Sequence, residues 1–423
     1  MNILIKNTNI LSMNDDKLKK DDIYIKNGKI FKIGKIEDLE VDKVIDGHNF
    51  ITMPGFINTH THVGMSFFRN YGDDNDLMTW LNNYIFPAEE KLNEELVYYA
   101  SLLSFAEMIK TGTTTFADMY FYQEETIKAL DKAKLRAQIA RGLSSPDEND
   151  YRIKECIELY EKYNGKDGKI EIALGPHSVY TTDKDYLKKI AGIAAKYKMP
   201  IHIHLSETKF ENDECMKKYG QSPTEVFDAC GIFENRTIAA HGVHLSDGDL
   251  DILESKNVSI LHNPSSNLKL SSGICDLSRL MDKRINVALG TDSASSNNKQ
   301  SMLREIEVAA LISKLKSADN LKAFDVLKMA TINGAKALGF EDKVGTVEEG
   351  KCADLIMINI DNINHIPNND LIASICYSTY ENDISYVFID GELVYENGEY
   401  TYLDIEDIKE NVKRLSENLL WSA

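Results

Sequence analysis

The chain has 423 residues, a formal net charge of −19 and the apolar and charged fractions of a soluble globular protein. This length exceeds one small domain, so we expect one large domain, of the size at which α/β barrels fold, together with a smaller one. The negative charge argues against nucleic acid and anionic membrane surfaces as partners, because both require a basic face.

The beginning of the chain predicts a cytoplasmic protein. Residues 1–6 lack the basic start, the long apolar stretch and the small-residue cleavage site of a signal peptide. The sequence contains no apolar run of about 18 residues that could cross a bilayer. The six cysteines lie far apart and form no Cys-x-x-Cys pair, which is typical of reduced cytosolic thiols.

Short alternating runs at both ends of the chain predict β-strands. In residues 1–54, an Asn27-Gly28 pair between two such runs is a strong hairpin signal, because both residues tolerate positive φ. Near the other end, a tight turn is expected at Asp390. Neither end has enough strands for an independent sheet. We therefore predict one small composite β-sandwich formed by residues 1–54 and 345–423, the second of which also contains a C-terminal helix.

Between these ends, apolar strands alternate with amphipathic helices, which indicates a parallel α/β fold. Eight such units in residues 55–344 predict a closed (β/α)8 TIM-like barrel, in which catalytic residues lie at the carboxyl ends of the strands. The predicted helices include residues 94–110, 123–134, 152–162 and 183–198. The eight predicted strands end near His62, Asp118, Gly142, His177, His204, His241, His262 and Asp292.

Several of these strand ends carry side chains that can bind a metal. His60 and His62 form a His-x-His pair, as do His202 and His204, and the two side chains of such a pair share one face of a strand. Each histidine taken alone is equally well explained as a core or loop residue, but together they recur at successive strand ends. Nitrogen ligands completed by a carboxylate such as Asp292 suit zinc or iron(II) and leave a position for water.

Further motifs extend along the whole chain. They are Pro-Gly-Phe-x-x-x-His-x-His at 54–62, His204-x-x-Glu207, the strand ends His241 and Asp292, Asn263-Pro264-x-Ser266-Asn267, and Gly345-x-x-x-x-Gly350-x-x-Ala353-Asp354-Leu355. As a set they are highly specific, and with them the chain resembles the amidohydrolase superfamily, in particular the branch of 5-methylthioadenosine/S-adenosylhomocysteine deaminases and chlorohydrolases. In that family the barrel carries a composite β-sandwich made from both termini.

The resemblance implies a metal site and a set of catalytic residues. The metal would be one divalent ion, zinc or alternatively iron, and its ligands would be His60, His62, His204 and Asp292. The catalytic residues would be Glu207, His241 and Asp292.

A single metal is expected because one common feature is missing. Superfamily members with two metals commonly bridge them with a modified lysine at the end of the fourth strand, and residues 170–177 contain no lysine. His177 lies there instead, and the resemblance implies that it contacts the substrate. His202 shares a strand face with His204 but would lie deeper in the barrel, so we predict a structural role for it.

The reaction implied by the resemblance is hydrolytic deamination of an aminopurine. Hydroxide must attack the carbon that bears the amine, a ring nitrogen must gain a proton, and the departing ammonia needs another. Glu207 follows the metal ligand His204 by three residues, close enough to carry a proton from the water to the ring nitrogen. His241 would orient the hydroxide, and Asp292 would help to deprotonate the water.

The substrate side of the site depends on less specific matches. Glu89 corresponds to the position at which the family's deaminases hold the ribose hydroxyls, although Glu90 leaves the register open by one residue. Arg141 and Arg152 resemble the family's substrate-side arginines. Arg152 would bind the carboxylate of a homocysteine tail, and a surface ion pair is the alternative. Candidates for an apolar thioether pocket, although such residues more often belong to a core, are Met65, Phe67, Phe68 and Trp80.

We therefore predict a metal-dependent aminohydrolase that converts 5-methylthioadenosine, S-adenosylhomocysteine and, as a further candidate, adenosine to the inosine analogues and ammonia. The nearest alternative is the same chemistry on guanine, another nucleobase or a chlorotriazine. A barrel that binds metal or purine without turnover is a second alternative, against which Glu207, His241 and Asp292 argue. The expected partner is a small purine nucleoside, without nucleic acid or membrane, and the sequence leaves homo-oligomer formation open.

Overall fold

The N-terminal segment forms five strands in the computed structural model, which describes residues 1–37 and 39–420 of the chain. The turn between the second and third strands is the predicted hairpin, in which Asn27 and Gly28 both have positive φ. The five strands are β1 (Ile3–Leu11), β2 (Leu18–Lys26), β3 (Lys29–Ile33), β4 (Lys43–Asp46) and β5 (Phe50–Pro54).

The central part of the chain supplies eight parallel strands in one sheet, in the order of the sequence. Their residues are almost all buried, because helices cover one face and side chains fill the space inside the other. The eight strands are β6 (Phe56–Thr61), β7 (Thr113–Tyr120), β8 (Arg136–Leu143), β9 (Ile170–Pro176), β10 (Ile201–Leu205), β11 (Thr237–His241), β12 (Ser259–His262) and β13 (Val287–Leu289).

The first and last of these strands meet and close the barrel. The backbone N–H of Asp292 donates to the carbonyl of His60, and the Thr59 hydroxyl donates to the carbonyl of Leu289. Both bonds lie at the end of the barrel where the strands terminate. The predicted (β/α)8 architecture is confirmed, and its closure brings residues from the two ends of the barrel sequence side by side.

Sixteen α-helices are present in the described residues, and most of them connect successive barrel strands on the outside. They are α1 (Leu77–Trp80), α2 (Phe86–Glu89), α3 (Glu94–Lys110), α4 (Gln123–Ala133), α5 (Tyr151–Tyr163), α6 (Lys184–Tyr197), α7 (Lys209–Tyr219), α8 (Pro223–Ala229), α9 (Asp247–Ser255), α10 (Pro264–Lys269), α11 (Leu277–Asp282), α12 (Met302–Ser313), α13 (Ala323–Met329), α14 (Ile332–Leu338), α15 (Leu371–Tyr377) and α16 (Ile405–Leu420). Within the described part of the chain, none of them is long and apolar enough to cross a membrane.

The C-terminal segment returns to the N-terminal strands and completes a second sheet. Strand β14 (Leu355–Asn359) pairs antiparallel with β5, so that nine strands from both ends of the chain form one mixed sheet. The remaining strands are β15 (Ile384–Ile389), β16 (Glu392–Glu396) and β17 (Glu399–Tyr400). Apolar side chains of both halves share one cluster. The predicted composite β domain from both termini is therefore confirmed.

The chain passes from this sheet to the barrel at Gly55. Its N–H donates to the carbonyl of Asp354, and a Cβ added here would lie 2.2 Å from the Thr114 side chain. Only glycine leaves room for this close approach. The junction fixes where β6 begins, and therefore the register of the histidines that follow on that strand.

Residues 77–92 form a cap segment over one side of the barrel mouth. It consists of α1, a π-helical turn at Leu81–Ile85, and α2. Its apolar side chains pack in one cluster with Leu415 and Leu419 of the C-terminal helix α16. The cap lies in the long connection between β6 and α3, and much of its contact with the rest of the molecule is apolar packing.

A buried ion pair also links the barrel to the composite sheet. Arg136, at the start of β8, donates from Nε to Asp354 Oδ2 at 3.1 Å and from Nη2 to Oδ1 at 3.3 Å. Both side chains are only 1% exposed, and Asp354 also accepts from the backbone N–H of Asp390. A pair buried this deeply is costly to break, because the remaining charge keeps no counter-ion.

We expect Arg136→Met to lower the free energy of unfolding by about 3–5 kcal/mol, because it leaves the Asp354 carboxylate buried and unpaired. The double variant R136M/D354N should lose less of the free energy of unfolding, since the second substitution removes the uncompensated charge. Urea-induced unfolding measures both. Lys162→Met is the matched control, because its ion pair with Glu124 is exposed and should contribute at most about 1 kcal/mol. Equal losses for R136M and K162M would contradict the prediction.

Candidate metal centre and active site

The four predicted metal ligands converge at the carboxyl ends of the barrel strands. His62 Nε2 lies 3.3 Å from His204 Nε2 and 3.3 Å from Asp292 Oδ1. His60 Nε2 lies 3.5 Å from the same carboxylate oxygen, and it has no hydrogen-bond partner within the described structure. Donors held tetrahedrally at about 2.0–2.1 Å from one ion lie about 3.3 Å from each other. The residues present therefore fit a single metal ion of the zinc type.

The outer nitrogen of each histidine ligand holds its ring in the orientation that metal binding requires. His62 Nδ1 faces the carbonyl of Met119, and His204 Nδ1 lies 3.0 Å from the carbonyl of His177. A carbonyl can only accept, so Nδ1 carries the proton in both rings and Nε2 presents its lone pair. His60 Nδ1 lies 2.8 Å from Nε2 of His202. His202 thus sits behind a ligand, in the place expected of a structural residue.

Helix α10 orients two further residues that point into the same space. Ser266 Oγ donates to Asp292 Oδ2 at 2.6 Å, which leaves Oδ1 directed at the histidines. His241 Nδ1 lies 2.8 Å from Asn267 Oδ1. An amide oxygen accepts, so His241 presents Nε2 without a proton when the ring is neutral. The Asn263-Pro264-x-Ser266-Asn267 motif therefore holds the side chains of Asp292 and His241 by hydrogen bonds.

His241 and Asp292 are also set apart by their backbone. Their φ angles are 76° and 60°, in the left-handed region that non-glycine residues rarely adopt. Each residue stands just where a barrel strand gives way to its loop, and the unusual turn directs the side chain over the barrel mouth. Such backbone strain is held by the surrounding hydrogen bonds and is typical of functional sites.

Glu207 lies beside His241, with 3.6 Å between its Oε2 and His241 Nε2. Its Oε1 accepts from the Ser272 hydroxyl at 3.0 Å, and its backbone N–H donates to the buried carboxylate of Glu211. Burial raises the pKa of Glu207, and the neighbouring His241 opposes this shift. A carboxyl with a raised pKa gains and loses a proton more readily near neutral pH, as an acid–base residue requires.

A cavity opens above these residues. His177 lines it at the end of β9, and burial lowers the pKa of its ring to about 3, so the imidazole is a neutral hydrogen-bonding group. Other polar lining residues are His62, Glu89, Tyr120, Ser144, Tyr180, Thr181, His204, Glu207, His241, Asp292 and Ser293. Much of the remaining wall is apolar and includes Met65, Leu77, Trp80, Leu81, Ile85, Phe86, Met119, Phe121, Leu143 and Leu270.

The structure separates the predicted substrate contacts into those that reach the cavity and those that do not. Glu89 lines the cavity, whereas its neighbour Glu90 is exposed. Met65 and Trp80 belong to the apolar wall. Two other candidates for that wall, Phe67 and Phe68, pack in the adjoining apolar cluster and are not among the described lining residues.

Neither of the two predicted arginines is among the described residues that line the cavity. Arg141 donates from Nε to Glu155 at 2.8 Å and from Nη1 to the carbonyl of Gly142 at 2.7 Å. Arg152 donates from Nη1 to the carbonyls of Ser144 and Pro146. Arg152 Nη1 also lies 3.7 Å from the Asp147 carboxylate, which is the ion pair considered as its alternative role. Arg141 thus binds the end of β8 and Arg152 the loop that follows it, next to the cavity-lining residues Gly142 and Ser144.

The sequence analysis missed Tyr120, at the end of β7. Its hydroxyl donates to Glu89 Oε1 at 2.8 Å and its ring lines the cavity. Tyr120 follows Asp118 by two residues, so the period of a strand could have placed both on one face. Its partner on the cap segment was not foreseeable, because the two residues are far apart in the sequence.

Comparison with known proteins agrees with this geometry. The sequence pattern of the amidohydrolase family matches residues 51–394. A 5-methylthioadenosine/S-adenosylhomocysteine deaminase from Caldanaerobacter subterraneus subsp. tengcongensis is 44% identical over 428 aligned positions, which cover 99% of each chain. A 5′-deoxyadenosine deaminase from Methanosphaera stadtmanae is 42% identical, again over 99% of each chain. The crystal structure of an adenosine deaminase from Xanthomonas campestris with bound zinc has a TM-score of 0.95 at 28% identity, covering 99% of this chain and 98% of that one.

We expect about one tightly bound divalent ion per chain after dialysis, measured by elemental analysis, because one set of four ligands converges on one point. His204→Ala should lose most of this ion, since one of the three nitrogen donors disappears. His48→Ala is the control, because His48 is exposed and pairs only with Asp46. A stoichiometry near two in the parent chain, or an unchanged metal content in H204A, would contradict the single-metal site.

Proposed function

The chain belongs to the amidohydrolase family, and we propose that it is a metal-dependent deaminase of 5′-substituted adenosines. Its substrates would be 5-methylthioadenosine, S-adenosylhomocysteine and related nucleosides, which it would convert to the inosine analogues with release of ammonia. The observation that carries this proposal is one cavity lined by Glu89, Glu207 and His241 together with three of the four proposed metal donors; the fourth, His60, lies directly beside them. Relatives with this activity in their names are similar over almost the whole chain.

A metal held by His60, His62, His204 and Asp292 would activate a water for attack and offset the negative charge that develops. The side chains around it would hold the water in place and transfer its protons. His241 presents an unprotonated Nε2 toward the cavity, so it can accept a hydrogen bond from the attacking water and hold it against the purine. Because Ser266 binds Asp292 Oδ2, the other oxygen of this carboxylate stays directed at the reacting water.

Glu207 would carry the protons. It takes one proton from the water as the new C–O bond forms at the carbon that bears the amine, and it passes that proton to the adjacent ring nitrogen. The second water proton moves to the amine, with Asp292 as its carrier, and the C–N bond breaks to release ammonia. One water is thus consumed for each ammonia formed, and Glu207 and Asp292 regain their original protonation.

Glu89 is proposed to recognise the ribose. It projects from the cap segment into the cavity, and a carboxylate can accept hydrogen bonds from two neighbouring hydroxyls. The apolar wall beside it, which includes Met65 and Trp80, suits a thioether or a methyl group at the 5′ position. His177, neutral and buried, is proposed to hydrogen-bond the purine ring.

The two arginines are proposed to serve the longer substrate. Arg152 donates to two neutral carbonyls and lies 3.7 Å from the Asp147 carboxylate, and an α-carboxylate would form shorter, charge-assisted hydrogen bonds with it. Arg152 would therefore turn from the loop after β8 toward the tail of S-adenosylhomocysteine. Arg141 is held more firmly by Glu155, and its proposed role is to keep Gly142 and the adjoining wall in place.

Zinc is the proposed native metal, with iron as the alternative. Three imidazoles and one carboxylate suit both ions. The zinc in the similar adenosine deaminase structure supports the first choice.

The adenine-to-hypoxanthine change in ultraviolet absorbance tests the substrate class. We expect turnover of 5-methylthioadenosine, S-adenosylhomocysteine and 5′-deoxyadenosine, because all three combine an adenine with the ribose hydroxyls that Glu89 is positioned to bind. Guanine and a chlorotriazine serve as the comparison substrates, since the same metal chemistry could act on them. Rapid turnover of either one, with 5-methylthioadenosine inert, would refute the proposed substrate class.

Glu207→Gln should lower kcat by at least about a hundredfold, because the amide cannot carry a proton between the water and the ring nitrogen. Its metal content should stay at the parent value, since Glu207 is not among the four ligands. Glu90→Gln is the matched control, because this carboxylate is exposed. A kcat for E207Q within a few fold of the parent value would remove Glu207 from the proposed mechanism.

A further inference from the structure

The hydrogen bond between Tyr120 and Glu89 joins two parts of the molecule that are held in different ways. Tyr120 ends β7, a strand of the barrel sheet, whereas Glu89 lies in the cap segment, which is held largely by apolar packing. The phenol donates to Glu89 Oε1 at 2.8 Å. In the described structure, no other hydrogen bond reaches the Glu89 side chain. The direction in which this carboxylate points therefore depends on Tyr120.

The position of the Tyr120 ring is itself fixed. The side chain is 4% exposed and packs over Gly64, where an added Cβ would lie 2.4 Å from the ring. The ring also belongs to the apolar cluster of the cap segment, together with Trp80. Because the ring is packed from two sides, its hydroxyl keeps a fixed position relative to the barrel sheet. The hydrogen bond therefore also fixes the Glu89 carboxylate relative to that sheet.

The bond also leaves Glu89 suited to accept further hydrogen bonds. A carboxylate offers about four lone-pair sites, and the phenol occupies one of them. Burial raises the pKa of Glu89 to about 7, and the hydrogen bond from Tyr120 works against that shift, because it stabilises the ionised form. The remaining sites of the ionised group can receive two adjacent hydroxyl hydrogens.

We propose that Tyr120 is a positioning residue for ribose recognition, which orients the Glu89 carboxylate toward the 2′,3′-diol and thereby makes the enzyme selective for ribonucleosides over 2′-deoxyribonucleosides. This inference rests on the proposed function, in which Glu89 binds the ribose. It adds that selectivity at the sugar is set by a residue that belongs to the barrel and need not touch the sugar itself.

The test compares two substrates that differ only at the 2′ position, 5′-deoxyadenosine and 2′,5′-dideoxyadenosine. For Tyr120→Phe, the ratio of kcat/KM for the first substrate to that for the second should fall about tenfold or more, through KM, because a misdirected Glu89 loses a hydrogen bond to the 2′-hydroxyl. The kcat for the 2′-deoxy substrate should stay within about twofold of the parent value. A merely structural role would change both substrates alike.

Tyr122→Phe is the matched control. The Tyr122 hydroxyl donates to the backbone carbonyl of Leu92, the last residue of the cap segment, at 3.1 Å, so this phenol also bonds to the cap but does not reach Glu89; Tyr122 is not among the described lining residues. Its removal should leave the substrate ratio unchanged. Glu89→Gln should reduce the ratio as Tyr120→Phe does, and the double variant should show little further loss, because both substitutions act on the same contact.

The outcomes separate this inference from the proposed function. If E89Q loses selectivity while Y120F keeps the parent ratio, the positioning role is refuted and the ribose contact stands. Equal losses on both substrates in Y120F would also refute the inference, because they indicate a general structural defect. If the parent chain deaminates neither nucleoside, the proposed function fails and the inference fails with it.

Discussion

The convergence of four buried metal donors is the constraint on which the rest of the site depends. Imidazole lone pairs and a carboxylate brought to within 3.3–3.5 Å of one another lose their water, and without a cation this arrangement is unfavourable. The barrel makes it possible, because parallel strands direct their carboxyl ends to one side. A bound ion would offset this unfavourable free energy, so the affinity for the metal and the stability of the native fold are linked.

One short helix, α10, orients both a proposed metal donor and a side chain proposed to hold the reacting water. Ser266 and Asn267, adjacent on α10, hold Asp292 and His241 respectively. A shift of α10 would therefore move the side chains of Asp292 and His241 together. Glu207 reaches the same point from the loop after β10, so that three separate loops are aligned by hydrogen bonds across the barrel mouth.

Substrate recognition is built differently. Glu89 and much of the apolar wall belong to the cap segment, which is an insertion between β6 and α3 and packs on the C-terminal helix. Because no barrel strand carries these side chains, the cap can change its shape without disturbing the metal ligands. Tyr120 joins the barrel to Glu89 of the cap by a hydrogen bond, and this is why one phenol can govern the sugar contact.

The sequence by itself determined the barrel, the composite terminal sheet and which side chains lie together at the barrel mouth, because strand periodicity and motif order are local properties. His60, His62, His204 and Asp292 could be named from spacing and resemblance alone. Only the tertiary structure decided that Glu89 and not Glu90 lines the cavity, that Arg152 binds backbone carbonyls of the wall, and that a tyrosine holds Glu89. Those relations are distances between segments remote in sequence, which depend on how the loops pack across the barrel mouth.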